Sequence, residues 1–208
     1  MRRHVIVIRC SFQDALQSRR RLEISKATCI PSLKAQKNKN YEIILRVSRR
    51  DPLLDKRVSA FKDIGVPVQF DHVSGDLIST RMDDDDVVAV DFTSQIQTAS
   101  LGRNYGAISL ACGILFDSGN WYKWTFPGNM FQSILCNGSN EVFRHSHRSM
   151  PNLRGSKVIY GEPSWVWVRH PFTITTSLEG YQKEGRIKFP KDRFPGVSFP
   201  TVMKLSRE

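Results

Sequence analysis

The chain has few cysteines, no long apolar run and none of the common nucleotide fingerprints, and each absence narrows the reading. Its 208 residues include only Cys10, Cys29, Cys112 and Cys136, with no C-x-x-C pair. That spacing argues against a zinc ribbon or a disulfide scaffold, and fits reduced thiols in a cytoplasmic protein. No stretch reaches the roughly eighteen apolar residues that a membrane-spanning helix needs. G-x-G-x-x-G and G-x-x-x-x-G-K-[S/T] are both missing, so neither a dinucleotide fingerprint nor a P-loop is on offer. There is no internal repeat and no low-complexity segment. The basic start, Met1-Arg2-Arg3-His4, leads into only four apolar residues before Arg9. A signal peptide needs roughly 7–15, so Val5–Ile8 reads as a first buried strand.

What is present is an ordinary globular composition, 40% hydrophobic and 25% charged, in a chain long enough for one well-buried domain. The net charge of +11 is unevenly spread. Residues 1–50 carry 13 Lys/Arg against 3 Asp/Glu, residues 51–147 carry 7 against 12, and residues 148–208 carry 11 against 5. Two basic ends bracket an acidic middle. A basic surface attracts nucleic acid, anionic headgroups or phosphorylated small molecules, and charge alone singles out none of them.

Hydrophobic periodicity predicts strands over His4–Arg9, Tyr41–Val47, Val66–Phe70 and Asp76–Met82. Helical segments are expected over Gln13–Gln36, broken at Pro31, and over Pro52–Ile64. This is the rhythm of an α/β fold with a mostly parallel, mixed sheet and crossover helices. Tyr105–Phe116 reads as a further strand, paired with Trp121–Trp124 across Asp117-Ser118-Gly119-Asn120. Trp165–His170 alternates like a strand ending in a histidine. Residues 1–170 are read as the domain, and residues 171–208 as a basic, loosely packed C-terminal appendage or partner-binding arm. Its Lys183, Arg186, Lys188, Lys191 and Arg193 suit peripheral contact with an anionic membrane, against the simpler reading of a solvated tail.

The stretch Ile78-Ser79-Thr80-Arg81-Met82-Asp83-Asp84-Asp85-Asp86 ends a strand in four carboxylates. Val88, Phe92 and Ile96 follow with helical spacing, so the acids are expected at a strand-to-helix turn. Adjacent carboxylates repel and raise one another's pKa. A hard divalent cation such as Mg²⁺ or Mn²⁺ relieves that conflict and commonly binds one or two carboxylates plus a substrate's phosphates. The bland alternative is a solvated loop or a helix N-terminus.

Several segments together resemble a known family. They are Ile30-Pro31-Ser32-Leu33-Lys34-Ala35-Gln36, the strand Tyr41–Leu45, the turn Ser79–Asp86, Asn129-Met130-Phe131, Val142–His147 and Trp165–His170. Over residues 4–172 the chain is similar to the rhamnosyltransferase-like GT-A-type glycosyltransferases and, more loosely, to family-2 glycosyltransferases. The T-R-x-D-x-D-D turn is the most specific part. The resemblance implies a GT-A-like sheet with the nucleotide-sugar site at its strand ends, and a nucleoside-diphosphate sugar held through Mn²⁺ or Mg²⁺. Asp83 is then expected near the ribose or diphosphate. Asp85 is the main metal contact, with Asp86 a second contact or a helix N-cap. His170 is implied as a metal ligand, Arg81 as a partner of the diphosphate and His147 as a donor or metal contact. Asp84 stands where the family often has Asn. An inverting reaction also needs a carboxylate base, and among Asp117, Glu141 and Glu162 the first choice is Glu141, just before the His cluster. The implied acceptor is a glycan or a lipid-linked hydroxyl compound. Two other classes compete with this reading. One is a catalytically silent GT-A-like binding domain, suggested by the compressed second half. The other is a basic nucleic-acid-binding protein or nuclease, disfavoured because its acids all lie in one turn.

Overall fold

A computed structural model describes residues 2–170 and 184–205. It is an α/β fold built on a seven-stranded mixed sheet with helices packed on it. The strands are β1 (Arg3–Arg9), β2 (Glu42–Arg46), β3 (Val68–Gln69), β4 (Ser74–Asp83), β6 (Gly106–Leu110), β9 (Ser133–Gly138) and β10 (Lys157–Ile159). Their order across the sheet is β10-β6-β9-β4-β1-β2-β3. β1 pairs in parallel with β2 on one side and with β4 on the other, and β3 continues the parallel run beyond β2. Only β9 runs antiparallel, between β4 and β6.

Alternation along these strands divides the core. Ile6, Ile8, Ile43, Leu45, Ile78 and Met82 face three helices, α2 (Cys29–Lys34), α3 (Leu54–Lys62) and α4 (Phe92–Ser100). Val5, Val7, Ile44 and Leu77 face the opposite way, under Val142 and Met150 of two short 3₁₀ turns, Ser139–Phe143 and Met150–Asn152. The helix before β2 breaks at Thr28, not at Pro31: α1 (Ala15–Ala27) and α2 are separate, and Pro31 sits inside α2. Asp14 caps α1, its carboxylate accepting the Gln17 N–H at 2.7 Å.

A second sheet has the order β5-β11-β7-β8, formed by β5 (Val87–Val88), β7 (Cys112–Asp117), β8 (Asn120–Thr125) and β11 (Trp165–Arg169). The strand expected over Tyr105–Phe116 is therefore two strands, broken at Ala111 between the two sheets. The expected β7–β8 hairpin is present, with Asp117 opposite Asn120. Its central residues Ser118 and Gly119 both have positive φ, 51° and 82°, the type I′ geometry that matches strand twist. Trp165 is fully buried, with its indole N–H on the Leu110 carbonyl at 2.6 Å. It leaves no room at Gly113, where a Cβ would lie 2.2 Å from the indole ring. Gly113→Ala is expected to cost about 1–3 kcal/mol by overpacking, read as a lowered midpoint in urea. An unchanged midpoint would show that Trp165 relocates freely.

The tail is not a loose appendage where it is described. Phe194, Phe199 and Val202 are buried against Ile24, Phe116 and Val166, and Phe189 stacks on Trp121 with ring centroids 4.3 Å apart. The last helix, α5 (Phe199–Leu205), is tied to α1 through the Ser198 N–H on the Ala27 carbonyl at 2.8 Å. Lys183, also assigned to the basic tail, lies outside the described residues. No described helix is long and apolar enough to cross a membrane.

Candidate metal centre and basic cleft

The chain lays down β1, β2 and β3 in one direction across the sheet, then returns to place β4 on the other side of β1. That reversal is a topological switch point, and in open α/β sheets the crevice beyond the strand ends there is where ligands bind. Arg9 ends β1 and Asp83 ends β4, side by side in register.

The four acids do not lead into a helix as expected. Val87-Val88 form β5, antiparallel to β11, because Trp165 and Val166 offer an edge to pair with. The turn thus joins one sheet to the other. Asp86 does not cap a helix, since α4 begins only at Phe92 with Asp91 at the N-cap position. Three of the acids are nearly inaccessible, Asp84 at 0%, Asp85 at 3% and Asp86 at 2% exposure. This is no solvated loop, so each charge needs a partner.

The partners come from helices that read as basic and surface-like in sequence. Arg21 of α1 donates through Nη1 to Asp85 Oδ2 and through Nη2 to Asp84 Oδ1. Arg57 of α3, fully buried, donates to Asp84 Oδ2 at 3.0 Å, to Asp51 Oδ2 at 3.0 Å and to the Ser18 carbonyl at 3.1 Å. Arg9 grips Asp83 with both arms of its fork, at 2.8 and 2.7 Å. β11 delivers His170, whose Nε2 lies 2.9 Å from Asp85 Oδ2. Asp86 has a thinner shell: its Oδ1 accepts the Val168 N–H at 3.1 Å.

These environments separate the acids electrostatically. Burial opposes the Asp85 charge, but Arg21 and His170 outweigh it and hold the carboxyl down at about 2. Burial pushes Asp86 well above the usual carboxylate range, and the charges of Asp85 and Asp83 add to that push. Asp51, Asp83, Asp84 and Asp85 face the guanidiniums of Arg9, Arg21 and Arg57.

Asp83, Asp85 and Asp86 offer carboxylate oxygens that all lie within 4.8 Å of one another. An octahedral ion with bonds near 2.1 Å spans about 4.2 Å between opposite ligands. Adjacent ligands of such an ion lie only about 3.0 Å apart, so the carboxylates would have to draw in by up to about 1.8 Å to share one ion, and an all-oxygen donor set suits Mg²⁺ or Mn²⁺. The three carboxylates could hold a divalent cation.

The other expected site residues divide. Arg81 of β4 projects with Asp83, Arg9 and Arg46 onto the face covered by the 3₁₀ turn Ser139–Phe143. Its guanidinium lies 5.2 Å from the Phe143 ring centroid. His147 bonds the Gly128 carbonyl through Nδ1. Burial lowers its pKa, the Gly128 carbonyl partly offsets that, and nearby Arg81, Arg148 and Arg9 lower it further. Glu141 pairs with Arg144 at 2.8 Å, and no described contact joins it to the acids. Asp117 pairs with Arg169 at 3.5 Å. Sequence reading missed Arg9, Arg21, Arg46, Asp51, Arg57 and Phe143. The signal available for Arg21 was its place beside Leu22 and Ile24 on the buried side of α1.

A cavity of about 490 Å³ opens beside the acid turn, lined by Arg9, Ser11, Arg46, Val47, Ser48 and Phe143. It occupies the carboxyl ends of β1 and β2. No protein-family model matches the chain, and no curated protein matches it.

Proposed function

We propose that the protein is a metal-dependent glycosyltransferase. It takes a sugar from a nucleoside-diphosphate donor, with Mn²⁺ or Mg²⁺ at Asp83, Asp85 and Asp86, and transfers it to a hydroxyl of a glycan or lipid-linked acceptor. The observation that carries this reading is the meeting of three carboxylates, within 4.8 Å of one another, at the switch point of a parallel sheet beside an arginine-lined cavity. The seven-stranded mixed sheet with its flanking helices is compatible with a GT-A-like fold. The ion, when bound, supplies Lewis-acid stabilisation of the departing diphosphate. The chain supplies the rest. Arg9 fixes the orientation of Asp83, His170 orients Asp85, and Arg21 and Arg57 hold Asp84 as an internal anion that stiffens the turn. Arg81 is placed to meet negative charge developing on the leaving group. Glu141, engaged by Arg144, is not assigned as the base.

One observation favours a second reading, a silent binding domain. Asp85 Oδ2 already accepts from Arg21 and faces His170, so an internal cation already holds one of its two oxygens.

Thermal melting with UDP, GDP, CDP and dTDP, each in Mn²⁺, Mg²⁺ or EDTA, separates the two. The glycosyltransferase reading expects one nucleotide to raise Tm by roughly 5–10 °C at a hundred times its Kd. It expects that rise to vanish in EDTA and in Asp85→Asn. A shift that survives both belongs to the silent domain.

A further inference from the structure

We infer that Arg46, Phe143 and Arg81 form a metal-independent seat for a phosphate group, beside the acid turn and distinct from it. The inference deepens the glycosyltransferase reading, because it names a second charged element of the same cleft.

The two guanidiniums lie over one aromatic ring, Arg46 at 4.6 Å and Arg81 at 5.2 Å from the Phe143 centroid. The sheet dictates this meeting. Arg46 ends β2, and Arg81 lies two residues before the end of β4, on strands flanking β1. Both side chains leave by the face that carries Ile44 and Leu77, and the turn Ser139–Phe143 crosses that face. Stacking on a ring satisfies the flat side of a guanidinium and leaves its N–H edge directed elsewhere.

Arg9, the third arginine here, is neutralised by its two bonds to Asp83. Among the described residues, neither Arg46 nor Arg81 has an ion pair of its own. Two cations held against one ring, one of them half-buried, favour an anion at their N–H edges. Arg46 and Phe143 also line the 490 Å³ cavity, which gives that anion room and a route in. Paired guanidinium forks match the oxygens of a phosphate. The two positive charges equal the charge of a phosphate monoester dianion.

The probe is inorganic pyrophosphate in EDTA, with ionic strength held constant by KCl so that general screening does not change. The expected result is a Tm rise of roughly 5–10 °C at a hundredfold excess over Kd, with acetate giving none. Arg46→Gln and Arg81→Gln should each weaken binding at least about tenfold, the usual loss for a hydrogen bond to a charged group. The exposed pair change Arg49→Gln/Arg50→Gln should leave binding intact. Arg46 is exposed, so its variant is expected to fold and decides the matter even if Arg81→Gln does not. No rise, an equal rise in Arg46→Gln, or a loss in Arg49→Gln/Arg50→Gln overturns the seat. Adding nucleoside diphosphate with Mn²⁺ identifies the source of the phosphate. An additive rise supports a phosphate separate from the donor's diphosphate, and displacement of pyrophosphate supports the diphosphate itself. Failure of the glycosyltransferase reading appears separately, as a missing Mn²⁺-dependent shift.

Discussion

Arg57→Leu should lose about 3–5 kcal/mol of stability, the usual result of stripping one partner from a buried ionic network. Arg57 is fully buried and bridges Asp51 and Asp84, while its third arm holds the Ser18 carbonyl. Leucine would fill much of the volume but abandon two buried carboxylates, one of them left wholly to Arg21. In a chain of this size the loss lowers Tm by roughly 6–20 °C. Adding Asp84→Asn to the leucine variant should recover part of it, because a neutral amide costs less to bury than an unmatched charge. Urea unfolding of the single and double variants measures both. A single-variant loss under about 1 kcal/mol would mean that the network is screened by water and that the turn is softer than its burial indicates.

Acid should weaken the protein through His4. That ring is 2% exposed near the start of β1, bonded to Thr80 Oγ1 at 2.8 Å, with Gln97 of α4 at 3.4 Å. Burial lowers its pKa from 6.5 to about 3. Folding therefore favours the neutral ring, and the unfolded chain binds the extra proton between those values. Stability from this group is complete above pH 6.5, declines as pH falls through the window, and is gone below about pH 3. The slope is about 1.4 kcal/mol per pH unit, or roughly 3 kcal/mol by pH 4. Urea melts at pH 7, 5.5 and 4 should show this slope in the wild type and a shallower one in His4→Gln. Equal slopes would assign the acid sensitivity elsewhere.

How much was legible follows from the range over which each signal acts. β1 was plain because Val5–Ile8 is an unbroken apolar run, as expected of a strand buried on both faces. The hairpin was plain because Ser118-Gly119 is local turn chemistry. The acid turn was visible as a site, but its partners were not. Arg21 sits in the run Arg19-Arg20-Arg21, which reads as a solvated helix face, and only the return of β4 beside β1 turns it into a counter-ion. β5 was missed because two valines carry no period of their own, and their strand character comes from β11, more than seventy residues away in sequence. The tail was misread because its burial depends on isolated phenylalanines at 189, 194 and 199, set among lysines and prolines. Glu141 was favoured by its nearness in sequence to the histidines, a criterion that ignores where a 3₁₀ turn aims its side chains.

The bond from Val168 N–H to Asp86 Oδ1 gives the turn its own spectroscopic reporter. A cation drawing on Asp86 competes with that amide for the same carboxylate electrons. The Val168 resonance in a ¹⁵N-labelled sample should therefore move upfield in its proton dimension as Mg²⁺ is titrated in, before any sugar or nucleotide is added. A backbone amide on the second sheet would then record occupancy of a site built mainly on the first.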